Sequence, residues 1–344
     1  MEKSKPVGVV LLQLGGPDSL DSIQPFLYNL FCDPDIIDLP FAFFFRKRLA
    51  RYISTKRAPK VQELYKSIGG KSPILDLTNQ QAMALEKELR QTLNANVYVA
   101  MRYWHPMTDA IVERVYNDDV GRIVLLPLYP HYSKTTTGSS VNEWNRILKS
   151  QNRIPLPTSL VEHYFDHPLY IKAMVQNING ALEKVPAADR SKVHLVFSAH
   201  GTPIKLVKDG DPYSDHIRKT YEAVLIEGNF GLQHHLCFQS KVGPQKWLEP
   251  SLDGTIERLG AEKVSHIIVI PIAFVSDHIE TLSEINIEAR EEAHHLGIEY
   301  FDMMPALNTN PLFIRGLADL VLKGYDLVDL RSRIYDTVGR EVSA

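Results

Sequence analysis

Short uncharged apolar runs alternate along this chain with segments whose apolar residues recur every three or four positions. The runs predict buried strands at residues 7–14, 97–101, 122–126, 193–199, 236–239 and 265–270. The amphipathic segments predict helices at 19–31, 79–93, 108–117, 139–149, 169–182, 215–227, 251–259, 277–295 and 311–322. Strand and helix taking turns in this way is the pattern of βαβ units. The expected class is therefore α/β, with parallel sheets flanked by helices.

The two halves read as weak copies of one another. Ile123-Val-Leu-Leu-Pro127 followed by Tyr129 matches Ile267-Ile-Val-Ile-Pro271 followed by Phe274. Leu11-Leu-Gln-Leu14-Gly15-Gly16-Pro17 aligns with Phe197-Ser-Ala-His200-Gly201-Thr202-Pro203, which makes Leu14 and His200 equivalent strand ends. A chain of 344 residues is also long for a single core. We expect two similar Rossmann-like units, residues 1–165 and 166–344, with the last helices free to pack back on the first. Open sheets of this kind bind ligands beyond the carboxyl ends of their strands. Two such halves would close one cleft, apolar on the Leu14 side and polar on the His200 side.

The densest candidate chemistry begins where the strand at 265–270 ends. Ser276-Asp277-His278-Ile279-Glu280 follows, and the acids recur at Glu284 and Glu288. On an α-helix, positions four apart turn only about 40°, so these carboxylates share one face. A line of acids leading to a strand end suits the handling of protons or cations, and equally a plain solvated helix face. His200 closes a strand too apolar to be exposed; it is a candidate base or metal ligand, or a histidine that merely hydrogen-bonds at a strand end. Other strand ends carry Arg102-Tyr103-Trp104-His105-Pro106, Tyr129-Pro130-His131-Tyr132 and Gln239-Ser240-Lys241, with Trp247 beyond. Aromatic faces with Arg and Lys at one rim suit a large, flat, anionic ligand. Gly15-Gly16-Pro17 is no dinucleotide fingerprint, because Pro17 lacks the N–H that an anion would need there.

Charge and cysteine usage narrow the classes. A net charge of −3 gives no reason to expect a nucleic-acid partner. Cys32 and Cys237 are the only cysteines, which fits a reducing compartment and excludes both a disulfide framework and a four-thiolate cluster within one chain. No signal peptide is read before the first strand, and the longest apolar run is roughly half the ~20 residues that span a bilayer. The expectation is a cytoplasmic protein. Phe41, Phe43, Phe44 and Phe45, followed by Arg46, Lys47, Arg48 and Arg51, suit either peripheral contact with an anionic membrane or the rim of a cleft for a flat apolar ligand. A buried helix start with outward basic residues is the competing reading.

Taken in order, these blocks resemble the ferrochelatases, the terminal haem-synthesis enzymes that insert ferrous iron into a porphyrin. The resemblance runs from about Val7 to about Leu322. It rests on Leu14-Gly15-Gly16-Pro17, on Lys56-Arg57-Ala58-Pro59-Lys60 with Tyr65 and Ile68-Gly69-Gly70-Lys71-Ser72-Pro73, and on Arg102-Tyr103-Trp104-His105-Pro106. Thr136-Thr137-Gly138-Ser139-Ser140, Phe197-Ser198-Ala199-His200, Gln239-Ser240-Lys241-Val242-Gly243-Pro244 with Trp247, and Pro271 through Leu282 complete it.

The resemblance implies a chelatase-like fold and a lyase that converts protoporphyrin IX and Fe2+ into haem b with release of two protons. It implies His200 and Glu280 as the catalytic, metal-facing pair. The acids Glu284 and Glu288, on a helix widened to π form, would carry protons away together with Asp277 and His278. Leu14, Arg57, Tyr65, Ser72, Arg102, Tyr129, Trp247 and Phe274 fall on porphyrin-contacting positions. No resident cofactor is implied. Lys134 stands where cluster-bearing members place a cysteine, so no [2Fe–2S] cluster is carried over, and Leu14 replaces a wall methionine common in the family. Monomer and dimer are both left open. A non-catalytic porphyrin carrier using the same cleft, or a chelatase acting on a sirohydrochlorin, are the competing readings.

Overall fold

The computed structural model describes residues 5–36, 42–241 and 245–341. The first half runs β1 (Val7–Gln13), α1 (Ile23–Cys32), α2 (Ala42–Ser67), α3 (Ile74–Leu89), β2 (Ala95–Met101), α4 (Thr108–Asn117), β3 (Arg122–Pro127), α5 (Ser139–Ser150) and β4 (Thr158–Leu160). The second runs α6 (Pro168–Lys184), β5 (Val193–His200), α7 (Ile204–Lys208), α8 (Tyr213–Gly228), β6 (Gln233–Gln239), α9 (Leu252–Ala261), β7 (His266–Pro271), α10 (Arg290–His295), β8 (Tyr300–Met303) and α11 (Pro311–Glu341). Two π-helical segments, Lys134–Gly138 and Glu280–Ala289, and a 3-10 turn at Arg190–Lys192 complete the described elements.

The strands form two parallel four-stranded sheets of identical order, β2-β1-β3-β4 and β6-β5-β7-β8. Register makes the internal copy concrete. Leu12 pairs with Pro127 in one sheet and Ser198 with Pro271 in the other, so Leu14 and His200 each lie two residues beyond equivalent points.

Both faces of each sheet are covered, which is why β1 is buried at all seven positions. Side chains of a strand alternate in direction, and the core divides accordingly. Val9, Leu11, Leu195, Phe197, Ile268 and Ile270 face one apolar mass in which Ile171, Met174 and Ile178 of α6 also lie. Val10 and Leu12 face α4 and α5, whereas Val196, Ile267 and Val269 face α9 and the π-helix. Even-numbered β5 residues thus point toward the π-helix, and His200 is the last of that series. A fourth cluster joins α1 and α2 to Leu14, Tyr103, Trp104 and Ile279, linking the first half to the residue before Glu280.

Several expected elements differ. β4 and β8 were not anticipated; one is three residues long and the other interrupts its apolar pattern with Asp302. α2 was missed because its basic residues and internal Pro59 break the helical period. The single helix that periodicity gives at 277–295 is a π-helix, as the resemblance implies, followed by a short α-helix. α11 continues well past 322 and packs on α3, α6, β3 and β4.

Candidate active site

The strand ends of the second half converge on one ion pair. His200 ends β5; Glu280 opens the π-helix that follows β7. His200 Nδ1 stands 2.9 Å from Glu280 Oε2. An ionised carboxylate only accepts, so Nδ1 carries the hydrogen and Nε2 is the lone-pair nitrogen of the neutral imidazole. The side chains are 38% and 26% exposed, shielded yet still reachable from outside.

Burial alone would lower the imidazole's pKa, but the Glu280 charge and its hydrogen bond, with help from Glu284, carry it above the ordinary 6.5. Burial pushes the other way on Glu280, and there His200, with a smaller contribution from His278, holds the carboxyl far below the usual carboxylate range. The two groups therefore stabilise each other's charged forms.

The backbone and side chains around this pair are tightly held. Tyr213 Oη donates to the His200 carbonyl at 3.0 Å. The Phe274 ring meets His200 edge-on at 6.5 Å and packs at 4.5 Å on His278. His278 Nδ1 lies 3.2 Å from the Ser276 carbonyl, which can only accept, so its Nε2 faces Glu280 Oε2 at 3.7 Å.

Glu284 sits one step along the π-helix. It accepts from the Ser240 amide at 2.7 Å and the Ser240 hydroxyl at 2.6 Å. Gln239 Nε2 reaches both Glu284 Oε2 and the Glu280 carbonyl at 3.3 Å, while Ser198 Oγ donates to Gln239 Oε1 at 2.8 Å. Burial and the neighbouring Glu280 charge raise the Glu284 pKa against the pull of Ser240. Glu288, further on, accepts from Ser283 Oγ at 3.2 Å. Asp277 is turned elsewhere: Asn308 Nδ2, Thr281 Oγ1 and the Ala306 amide all donate to it. It ties the start of the π-helix to the loop before α11.

The predicted porphyrin-contacting residues fall into two groups. Leu14 packs in the cluster that contains Ile279, and Trp247 lies against Gly201, directly after His200. Trp247 and Phe274 are thus near His200. Tyr65 and Ser72 are 3% and 6% exposed, Ser72 packs against Gly16, and burial with the Glu280 charge raises the Tyr65 phenol. Arg57 is half-exposed with its guanidinium 5.6 Å over the Phe31 ring.

Arg102 is committed to Asp33 at 2.9 Å and to Ser139 Oγ at 2.8 Å, and Tyr103 and Ser139 also donate to that fully buried carboxylate. Its charge supports the wall rather than the cleft. The Tyr129 hydroxyl is buried without a hydrogen-bond partner. Phe41 lies outside the described residues; Phe45, on the first turns of α2, is 62% exposed beside the basic run.

Three contributors had no role assigned from the sequence, although Gln239 and Ser240 lie in a block it singled out. Gln239 was legible in principle, since it ends an apolar strand in register with His200. Ser240 adopts φ +65°, a feature with no sequence signal, and nothing in the sequence tied Tyr213 to His200.

A sequence model of ferrochelatase matches residues 6–325. The chain belongs to the ferrochelatase family. It is 47% identical to a ferrochelatase of Geotalea daltonii over 319 residues, covering 92% of this chain and 98% of that one. Identity to a ferrochelatase of Aquifex aeolicus is 46%, with 91% and 98% covered, and to one of Synechocystis 46%, with 92% and 82% covered. In fold it is similar to a structure of SirB from Bacillus subtilis with Fe3+, at a TM-score of 0.54 and 11% identity, covering 93% and 95% of the two chains. The chain is thus a metal chelatase, a lyase of haem biosynthesis. Among the described residues, no helix is long and apolar enough to cross a membrane.

Proposed function

We propose that the protein inserts Fe2+ into protoporphyrin IX to give haem b, releasing two protons, with iron as substrate and no resident cofactor. The observation that carries this reading is the 2.9 Å pairing of His200 with Glu280 from separate strand ends, with Phe274 against His200 and Trp247 against Gly201.

A flat free-base porphyrin holds two N–H protons and aims its lone pairs inward, away from an approaching ion. Leu14, Phe274 and Trp247 clamp the macrocycle and use remote binding energy to bend it. His200 Nε2 accepts the two pyrrole protons in turn, passing on the first before taking the second, and Glu280 stabilises the imidazolium formed each time. Fe2+ accepts imidazole and carboxylate ligands but is not trapped by them as it would be in a thiolate cage. As the dication nears, it repels the imidazolium, and the proton leaves along the acidic side of the π-helix. Glu284, whose pKa is raised, is the next acceptor, and Glu288 the one beyond.

His278 Nε2 stands 3.7 Å from Glu280 Oε2, near enough for the imidazolium form of that ring to share the charge. Asp277 anchors this helix, and Arg102 acts through the wall. Arg57 holds a propionate at the rim, with Tyr65 and Ser72 supporting the floor and Tyr129 the back of the cleft. The exposed Phe45 and the basic turns of α2 favour a cytoplasmic enzyme that touches an anionic membrane at its periphery. Residues 1–165 and 166–344 are the units between which the cleft opens.

Anaerobic incubation with protoporphyrin IX and Fe2+, or with Zn2+ in air, followed by absorption spectroscopy, tests the reading. Metallated porphyrin forms with the native chain, and His200→Ala binds porphyrin without metallating it. Binding with no turnover by the native chain would make it a carrier. Turnover confined to a sirohydrochlorin would move it to another chelatase class.

A further inference from the structure

The chain that leaves His200 forms α7 and returns at Asp211, whose carboxylate reaches across to the first half. Its Oδ2 accepts from Ser133 Oγ at 2.9 Å and from the Lys134 amide at 2.8 Å, both at the start of the π-turn between β3 and α5. Its Oδ1 accepts from the Tyr213 amide at 3.0 Å, so the same carboxylate fixes the first turn of α8. Tyr213 is 8% exposed, and its single hydroxyl proton goes to the His200 carbonyl at 3.0 Å.

The Tyr213 ring is held from the side as well. His131 meets it at 6.1 Å and 80°. Thr220 gives its hydroxyl proton to the Phe165 carbonyl at 2.7 Å, so at 2.8 Å it must accept from His131 Nε2, which settles that ring's tautomer. Every donor in this chain of contacts has an acceptor, and the chain ends on the backbone of His200.

We propose that Asp211 is a positioning residue that acts on His200 through Tyr213, locking the first half of the molecule to the strand end that presents the base. Neither side chain is bonded to the imidazole ring; what they fix is the carbonyl from which that ring is carried. Positioning matters because proton transfer needs the accepting nitrogen within hydrogen-bond reach of the bent ring, and small misplacements are felt steeply in rate. The inference rests on His200 being the base in the proposed reaction.

The test is a double-mutant cycle on steady-state porphyrin metallation, with Tyr213→Phe, Asp211→Asn and the pair combined. Asparagine keeps an acceptor for Ser133 and Lys134 but turns an amide toward the Tyr213 N–H, so the link to α8 is lost. Each single variant should lower kcat by about tenfold with porphyrin KM within about twofold, the signature of a misplaced base. The double variant should be no worse than Tyr213→Phe alone, because both act on one path.

Unchanged kcat in Tyr213→Phe, or losses that multiply in the double variant, overturns the proposal. If Asp211→Asn does not fold, Ser133→Ala takes its place in the cycle with the same non-additive outcome required. His200→Ala is run in parallel. If it metallates at the native rate, the base assignment itself is wrong. If it is inactive while the Asp211 and Tyr213 variants behave as the native chain, only the positioning link falls.

Discussion

His200 and Glu280 each set the other's charge, through one 2.9 Å contact between the end of β5 and the start of the π-helix. The sign of the pH dependence follows. A raised imidazole pKa means that the neutral, proton-accepting form prevails only above a midpoint higher than the ordinary 6.5. Metallation by the native chain should therefore rise with pH through that midpoint. In Glu280→Gln the larger attraction is gone and only Glu284 still opposes burial, so the His200 midpoint should fall. A proton NMR titration of His200 in both forms checks this; a midpoint that stays put would mean the pair is not coupled in solution.

Glu284 gives a second, separable expectation. Its carboxyl is raised by burial and by Glu280 and pulled back by the two Ser240 donors. Ser240→Ala removes the hydroxyl donor, so the Glu284 pKa should rise further. Glu284→Gln removes the acceptor altogether. In the proposed relay, Glu284→Gln should reduce kcat about a hundredfold or more while porphyrin KM holds, since proton transfer contributes in that range. A change confined to KM would place Glu284 in binding instead.

The two arginines near the cleft should fail in opposite ways. Arg102 and Asp33 are 13% and 0% exposed, and removing one partner leaves an uncompensated buried charge. Arg102→Leu should cost about 3–5 kcal/mol of stability, read as a lowered denaturation midpoint. Arg57 stands over Phe31 at the half-exposed rim. Arg57→Leu should leave stability nearly unchanged and raise porphyrin KM more than it lowers kcat. The reverse pattern would exchange their roles.

The doubling of the fold was legible because it lives in strand sequences that must be buried on both faces. The Pro127 and Pro271 registers place Leu14 and His200 as the aligned motifs required. That His200 and Glu280 meet was to be expected from the family motifs; the direction of His200 follows from period-two alternation along β5, and that of Glu280 from its place at the start of the π-helix. What could not be read came from other kinds of physics. Periodicity alone reads 277–295 as α-helical; the π form at Glu280–Ala289 is implied only by the family resemblance, because no residue pattern marks it. Arg102 looked like a rim cation until Asp33, far earlier in sequence, was found beneath it. Asp277 sits in the acidic run but is consumed by Asn308, a contact between segments that no local pattern encodes.

Gly16 yields the last expectation. A Cβ built there would lie 2.5 Å from Ser72 Oγ, 2.6 Å from Ser72 Cβ and 3.2 Å from Ile74 Cγ2. Ser72 cannot simply swing aside: its amide donates to the Pro17 carbonyl at 2.8 Å, and its hydroxyl accepts from the Ile74 amide at 3.3 Å. In Gly16→Ala the Leu14–Pro17 turn must therefore move away from Ser72, and Leu14 with it. Overpacking of this kind costs about 1–3 kcal/mol, so thermal denaturation should shift down measurably. Because Leu14 belongs to the cluster that contains Ile279, the shift should also raise porphyrin KM. Gly16→Ala combined with Ser72→Gly, which removes the clashing side chain, should recover most of both losses. Recovery of stability without recovery of KM would show that Ser72 itself contributes to binding beyond supporting the turn.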